Sequence, residues 1–203
     1  MARNIFRGLG IALVTPFTSD GQVDYNSLKR LVEYQIDNGA DFLCILATTG
    51  ETPCLTQDEK DKITQLVKDV NHGRLPILKG CGGNNTAAVV EELRTADWSG
   101  IDGILSVCPY YNKPSQEGLY QHFKAISEAS PLPVVLYNVP GRTGINLKPE
   151  TTVRLANDCE NIVAVKEASG SLEQVDEIIK NKPQRFDVLS GDDALTFSMV
   201  ASG

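Results

Sequence analysis

The sequence is poor in basic residues, in histidine and in aromatic side chains. Its 203 residues include 19 Lys and Arg against 26 Asp and Glu, with two histidines and one tryptophan. The formal charge of -7 offers no general attraction for nucleic acid or for an anionic membrane, so we expect neither as a partner. No apolar run approaches the roughly 20 residues that a membrane helix needs. The N-terminus lacks the long apolar stretch of a signal peptide, and we expect a cytoplasmic protein.

The five cysteines form no pattern that is typical of a disulfide framework or a metal site. They are odd in number and widely spaced, and no C-x-x-C pair occurs. Cys44, Cys81 and Cys108 lie in or beside apolar runs, where cysteine behaves as a small buried hydrophobe. His72 and His122 share no ligand spacing with the cysteines. We therefore predict reduced, buried thiols and no bound metal.

The chain instead contains seven short apolar runs that alternate with longer amphipathic segments. The runs are Gly10–Thr15, Phe42–Ala47, Pro76–Gly80, Gly103–Cys108, Val134–Tyr137, Ile162–Lys166 and Val188–Ser190. Each is continuous rather than alternating, which is typical of parallel strands buried on both faces. The sequence therefore predicts a parallel sheet.

Between the runs, apolar residues recur at helical spacing. Helices are expected after Asp24 as N-cap, from Asp58 through Val70, and over Thr86–Trp98, Gln116–Ala129, Pro149–Ala156, Leu172–Ile179 and Asp193–Ala201. We expect Asp193 to cap the last of these. The strand–helix unit recurs roughly every 25–35 residues, which indicates a βαβ series.

A βαβ series can close into a barrel or stay an open doubly wound sheet. No G-x-G-x-x-G follows the first strand, whose turn reads Thr15-Pro16-Phe17. Polar residues follow several different strands, as in barrels, where loops from all strands build one site. We predict an α/β fold of the (β/α)8 TIM-barrel type, with residues 1–203 as a single domain. Seven strands cannot close an eight-stranded ring, so we expect this domain to be truncated before the eighth strand and the C-terminal helical region.

Lys166 closes the sixth apolar run, Ile162-Val163-Ala164-Val165-Lys166, where a lysine is unusual. One interpretation is a nucleophilic amine that attacks a ketone, since desolvation at a strand end favours the uncharged form. The other is a side chain that extends past the strand end to solvent. Strand position alone leaves both open.

Two further loops carry groups that suit a keto acid. Thr48 and Thr49 precede Gly50, and their hydroxyls with the adjacent N–H groups can cradle a carboxylate, although an ordinary capping turn fits equally. Tyr137 ends the fifth run, and Arg142 follows in a glycine-flanked loop that suits bidentate carboxylate binding. Taken singly, a core tyrosine and a surface arginine would explain these two.

The fourth and seventh strands are followed by a tyrosine pair and by a glycine. Tyr110 and Tyr111 lie between prolines in a rigid aromatic loop that suits a site mouth or a subunit contact. Gly191 follows Ser190, where the missing side chain allows close backbone approach.

In this order and spacing, the segments resemble the dihydrodipicolinate synthase family of the N-acetylneuraminate lyase superfamily. The resemblance rests on Gly8–Phe17, Thr48-Thr49-Gly50-Glu51, Pro109-Tyr110-Tyr111-Asn112, Tyr137-Asn138-Val139-Pro140, Lys166-Glu167-Ala168-Ser169-Gly170 and Ser190-Gly191-Asp192-Asp193. It implies a lyase that condenses pyruvate with aspartate-semialdehyde to hydroxy-tetrahydrodipicolinate, on the route to diaminopimelate and lysine. No cofactor is implied beyond the covalent imine.

The resemblance also implies roles for the singled-out residues. Lys166 would form the imine, Thr48 and Thr49 would hold the pyruvate carboxylate, and Arg142 would bind the carboxylate of the aldehyde. Protons would pass through Tyr137, Thr49 and Tyr111, the last supplied to the site of a neighbouring subunit. Gly191 would line the pocket with its backbone. The family expectation is a homotetramer, a dimer of dimers.

Two alternatives remain open at this point. Thr48 and Arg142 favour a short substrate with its own carboxylate, but another pyruvate-dependent aldolase, acting on sialic or keto-deoxy sugar acids, would use the same lysine. A non-catalytic fragment is the second alternative.

Regulation is a further expectation from the resemblance. Lysine-inhibited members of the family carry histidines and a glutamate where this chain has Gln57, Lys60 and Ala88, while the regulatory positions Asn84 and Tyr110 are retained. We predict weak or no inhibition by lysine.

Overall fold

The computed structural model describes residues 5–203, which form two compact units. The N-terminal unit comprises Ile5–Gly80 and Trp98–Asp102. The C-terminal unit comprises Cys81–Asp97 and Gly103–Gly203. Each unit is built from parallel strands that alternate with helices along the chain.

The N-terminal unit holds three neighbouring parallel strands and two long helices. In chain order these are β1 (Gly10–Ala12), α1 (Tyr25–Asp37), β2 (Phe42–Ile45), α2 (Gln57–Asn71) and β3 (Ile77–Gly80). Every residue of β2 is buried, as expected of a strand covered on both faces. The Asp24 carboxylate accepts the Ser27 N–H at 2.9 Å and so caps α1, as predicted. A capping box of Thr56 and Glu59 starts α2 one residue earlier than expected.

The C-terminal unit continues the same alternation with four parallel strands and six helices. The strands are β4 (Gly103–Val107), β5 (Val134–Asn138), β6 (Ile162–Glu167) and β7 (Asp187–Ser190). The helices are α3 (Thr86–Thr95), α4 (Gln116–Ala129), α5 (Pro140–Thr143), α6 (Pro149–Asp158), α7 (Leu172–Asn181) and α8 (Thr196–Ser202). Side chains of Asn85, Ser115 and Ser171 cap α3, α4 and α7, which fixes where each helix begins.

A bulge at the start of the β5–β6 ladder sets the register of its far end. Val134 pairs with Ile162, but Val135 pairs with Ala164, so Val163 is left without a ladder partner. From there the pairing is regular and places Tyr137 opposite Lys166. Paired residues point to the same face of a sheet, so these two side chains share a face.

The predicted strands are all found, with an end of each shifted by one to three residues, and several helix boundaries differ as well. Helix α3 ends at Thr95 rather than Trp98, since Ala96 already has extended backbone angles. Trp98 instead packs its ring against the Lys79 ammonium, whose Nζ lies 5.2 Å from the ring centre. Asp193 does not cap the last helix, so that prediction is wrong. Helix α8 begins at Thr196, and the Asp192 carboxylate instead accepts the Ala194 N–H in a preceding turn.

The burial pattern agrees with the expected role of the cysteines in apolar runs. Cys44, Cys81, Cys108 and Cys159 are buried as predicted, whereas Cys54 is exposed, so the prediction of a buried thiol is wrong for Cys54. Burial, followed by the negative charge of Glu167, raises the pKa of the Cys108 thiol well above its ordinary value. Within residues 5–203, no helix has the length and apolar character needed to span a membrane.

Candidate active site

Lys166 lies at the carboxyl end of β6, beside the tyrosine at the corresponding end of β5. Its Nζ is 4.8 Å from the centre of the Tyr137 ring, and the lysine is half-buried while the tyrosine is only 6% exposed. The amine therefore sits against an aromatic face rather than reaching freely into solvent. The phenol and the amine are close enough to serve the same bound molecule.

Gly191 packs against the stem of Lys166. It directly follows β7, and its N–H donates to the carbonyl of Glu167 at 2.8 Å. A Cβ at this position would lie 3.0 Å from both Cγ and Cε of Lys166, and 3.0 Å from the Cβ of Ala168. The glycine is needed because the lysine stem occupies the space that a side chain would take.

Arg142 lies on the short helix α5, directly after β5. Thr143 holds this helix with its hydroxyl, which donates to the carbonyl of Ile145 at 2.9 Å. Gly144 ends the helix in a left-handed conformation with φ of 74°. Arg142 is exposed, and within the described part of the chain no acidic side chain forms an ion pair with it. The stem of Lys113, from the loop after β4, lies against Gly144 and so brings a second cation next to the Arg142 loop. An exposed arginine with no internal counter-ion is available to an anionic ligand.

The loop after β4 carries the two predicted tyrosines in a strained conformation. Tyr111 is 88% exposed and has a positive φ of 70°, which is rare for a residue with a bulky side chain. Tyr110 is also exposed. Asn112 anchors the loop, since its Nδ2 donates to the carbonyl of Asn84 at 2.8 Å and its Oδ1 accepts from the Asn84 amide at 3.3 Å. The two regulatory candidates Asn84 and Tyr110 therefore belong to neighbouring loops of one unit.

Thr48 and Thr49 form a single turn of 3-10 helix, Thr48–Gly50, just beyond β2 in the N-terminal unit. Both threonines are exposed, whereas Gly50 is buried and its carbonyl accepts the Thr15 hydroxyl at 2.7 Å. Lys166 belongs to the other unit, so the convergence of the threonines and the amine on one substrate stays a prediction.

Strained backbone precedes this turn. Leu46 has a positive φ of 51°, and its carbonyl oxygen lies only 2.0 Å from where a Cβ of Gly80 would be. A side chain at position 80 would collide with the Leu46 carbonyl, so Gly80 allows the backbone bend at Leu46. The bend precedes the turn that carries Thr48 and Thr49.

A buried polar cluster behind Lys166 was not predicted. Glu167 is 1% exposed and contacts the side-chain amides of Asn138 and Gln174. A sequence signal was available: an acidic residue at the end of an apolar strand, next to a lysine, needs hydrogen-bond donors. As for metals, residues 5–203 contain no group of three or more His, Cys, Asp or Glu side chains that could hold an ion.

Parallel strand–helix units that carry functional side chains at the carboxyl ends of several strands define the class of (β/α)-barrel enzymes. Within this class the assignment is specific. The chain belongs to the dihydrodipicolinate synthetase family, whose model matches residues 5–203.

Individual relatives agree with this assignment. The chain is 59% identical over its whole length to 4-hydroxy-tetrahydrodipicolinate synthase of Phocaeicola vulgatus, covering 68% of that protein. It matches the crystal structure of dihydrodipicolinate synthase from Thermotoga maritima with a TM-score of 0.94 and 44% identity, over 98% of this chain and 68% of that one. It matches the Acinetobacter baumannii enzyme, complexed with pyruvate, with a TM-score of 0.92 and 43% identity, over 97% of this chain and 67% of that one. These similarities confirm the predicted barrel fold class, and the described residues 5–203 hold seven strands.

Proposed function

We propose that this protein condenses pyruvate with aspartate-semialdehyde to hydroxy-tetrahydrodipicolinate, through an imine on Lys166. The relatives named as 4-hydroxy-tetrahydrodipicolinate synthase support the overall reaction, and the relative with bound pyruvate supports the first substrate. The observation that carries the proposal is the half-buried Lys166 amine at a strand end, 4.8 Å from the Tyr137 ring.

The chemistry begins with attack of the Lys166 amine on the ketone carbon of pyruvate. The nitrogen forms a bond to that carbon and the ketone oxygen leaves as water, so the product is an imine. The protonated imine withdraws electrons from the methyl group, which loses a proton and becomes a nucleophilic enamine. The enamine carbon then bonds to the aldehyde carbon, whose oxygen takes up a proton and becomes the hydroxyl group of the product. The amino group of the aldehyde substrate then bonds to the imine carbon, which closes the ring and releases the Lys166 amine. In this scheme Tyr137 accepts and returns protons at this carbon centre.

The remaining residues hold the substrates in this scheme. Thr48 and Thr49 bind the pyruvate carboxylate, and Thr49 and Tyr111 complete the proton path with Tyr137. Arg142 binds the carboxylate of the aldehyde through its fork of donors. Gly191 supplies backbone to the pocket wall.

Trapping with borohydride tests the imine. The protein is incubated with pyruvate and sodium borohydride, and the modified residue is located by mass spectrometry. We expect one stable adduct, on Lys166, and none in Lys166→Ala. The matched control Lys180→Ala, which removes an exposed amine from α7, should label normally. Labelling of wild type at another lysine would overturn the proposal.

A comparison of aldehydes then tests the second substrate. We expect turnover with aspartate-semialdehyde and a large loss with keto-deoxy sugar or sialic acid precursors, because Arg142 needs a carboxylate on a short chain. Faster turnover of sugar aldehydes would assign the chain to another pyruvate-dependent aldolase. An adduct without any turnover would favour a non-catalytic fragment.

Assembly and location follow from the same assignment. We propose a homotetramer built as a dimer of dimers, a single barrel domain per chain, and a cytoplasmic location. The exposure of Tyr111 supports assembly, because a phenol that is 88% exposed in its own chain is available to a neighbouring subunit. Light scattering that gives only a monomer in the presence of pyruvate would contradict this assembly.

Regulation by lysine is proposed to be weak or absent. Gln57 and Lys60 lie on α2 where lysine-inhibited members carry histidines, and Ala88 on α3 stands where they carry a glutamate. The added positive charge of Lys60 and the missing negative charge at position 88 both disfavour a cationic amino acid. Isothermal titration with L-lysine should give no resolvable heat, and tight binding would contradict the prediction.

A further inference from the structure

The carboxylate of Glu167 is held by neutral donors alone. It accepts from Asn138 Nδ2 at 3.1 and 3.2 Å, from Gln174 Nε2 at 3.0 Å and from the Ser169 N–H at 2.8 Å. Within residues 5–203, no lysine or arginine forms an ion pair with it. A buried carboxylate without a cation is costly, so this one is stabilised only while its amide partners keep their places.

Backbone groups fix the orientation of both amides. Asn138 Oδ1 accepts the Leu147 N–H at 2.9 Å, so its Nδ2 must face Glu167. Gln174 Nε2 donates to the carbonyl of Leu147 at 3.3 Å as well as to Glu167. Donors therefore point at both carboxylate oxygens, and an acceptor is required at position 167.

The strand register places the pair of Asn138 and Glu167 next to the pair of Tyr137 and Lys166. Asn138 pairs with Glu167 in the β5–β6 ladder, one position beyond the pair of Tyr137 and Lys166. Successive side chains of a strand point to opposite faces, so the polar pair lies on the face opposite the amine and the phenol. The polar cluster therefore lies on one face of the strand end, and the Lys166 amine and the Tyr137 phenol lie on the other.

The same cluster closes the loop that carries Arg142. Asn138 is the last residue of β5, and Asn146 and Leu147 lie between α5, which carries Arg142, and α6. Asn146 Oδ1 accepts from Asn138 Nδ2 at 2.8 Å, and Asn146 Nδ2 donates to Gln174 Oε1 at 2.8 Å. Both ends of the loop are therefore tied to the amides that Glu167 holds.

We infer that Glu167 is a positioning residue that fixes the Arg142 loop relative to the Lys166 amine, and so acts mainly in the aldehyde step. This inference rests on the proposed function. The imine needs only the amine and pyruvate, whereas carbon–carbon bond formation also needs the aldehyde carboxylate held at a fixed distance from the enamine. Glu167 touches no substrate in this scheme.

The principal test replaces the acceptor by an isosteric donor. In Glu167→Gln the new amide faces two fixed donors, and the loop should be released. We expect unchanged pyruvate KM and unchanged borohydride labelling of Lys166. We expect the KM for aspartate-semialdehyde to rise and its kcat/KM to fall by about 10²-fold, the usual cost of misplacing a reacting group by about 1 Å. The double variant Asn138→Asp/Glu167→Gln restores an acceptor opposite the new amide and should recover part of this loss.

Two more variants keep the inference testable if Glu167→Gln does not fold. Gln174→Met removes one donor from α7 at nearly constant volume and should give a smaller loss of the same kind. Asn161→Asp is the matched control, since it removes a donor to the Ser127 carbonyl just before the opposite end of β6. It should leave both KM values unchanged.

The outcomes distinguish a failure of the proposed function from a failure of the positioning role of Glu167. Absence of pyruvate labelling in wild type would remove the proposed function itself. With labelling and turnover intact in wild type, a folded Glu167→Gln or Gln174→Met that binds the aldehyde normally would overturn the positioning role alone. Equal losses for pyruvate and aldehyde in these variants would also overturn it.

Discussion

Replacing Gly191 by alanine tests how closely the lysine stem is confined. The added methyl group would lie 3.0 Å from Cγ and Cε of Lys166, whereas carbon atoms normally approach to about 3.5–4.0 Å. The stem must therefore move by roughly 0.5–1 Å, because the Ala168 methyl group blocks the other side at the same distance. Overpacking of this kind costs about 1–3 kcal/mol of stability. A shift of that size in a nucleophile can reduce its rate by about 10²-fold.

The assay for this variant is the rate of borohydride-trapped imine at saturating pyruvate, with thermal unfolding measured alongside. Gly141→Ala is the matched control, since a Cβ at Gly141 has no neighbour within 4 Å and the residue is helical. The control should trap at the wild-type rate. If folded Gly191→Ala also traps at that rate, the lysine stem is not confined by this backbone and the reasoning fails.

Three further predictions concern stability and thiol reactivity. Gly80→Ala should lower the free energy of unfolding in urea by about 3 kcal/mol, because its Cβ would meet the Leu46 carbonyl at 2.0 Å, and Gly83→Ala, with ordinary 3.5 Å contact, should cost much less. Burial lowers the pKa of His122 from 6.5 to about 4, so between these values only the unfolded chain gains the proton and stability falls as the pH falls. The loss should approach about 3 kcal/mol in unfolding titrations and should vanish in His122→Gln; a flat wild-type profile would contradict it. Iodoacetamide should modify Cys54 alone in the native protein, and mass analysis showing a second alkylated thiol would contradict the burial of the others.

The strands were predictable because their chemistry is local. Each is a short continuous apolar run, and the observed bounds differ from the expected ones by a few residues at most. Helix α4 begins and ends at the predicted residues because Ser115 supplies a clear cap before an amphipathic stretch. Lys166, Tyr137 and Arg142 could be selected as candidates for the same reason, since each stands out against an apolar strand or a glycine-rich turn.

What escaped prediction depends on contacts between distant segments. The helix Pro140–Thr143 is too short to show a period, and it is held by a left-handed glycine cap and by the Thr143 hydroxyl. The early end of α3 reflects the contact of Trp98 with Lys79, which spacing along the chain does not reveal. The role of Glu167 required the β5–β6 register, because its partner Asn138 lies 29 residues away.

The unpaired Val163 has a consequence at the opposite end of its strand. If Val163 paired with Val135 instead of being skipped, the ladder would pair Tyr137 with Val165, and Lys166 would lie opposite Asn138. The Lys166 amine and the Tyr137 phenol would then lie on opposite faces of the sheet, although the sequence would be unchanged and the backbone nearly so. Val163, about 10 Å of chain before Lys166, thus determines that the amine and the phenol lie on one face of the sheet and that Glu167 and Asn138 lie on the other.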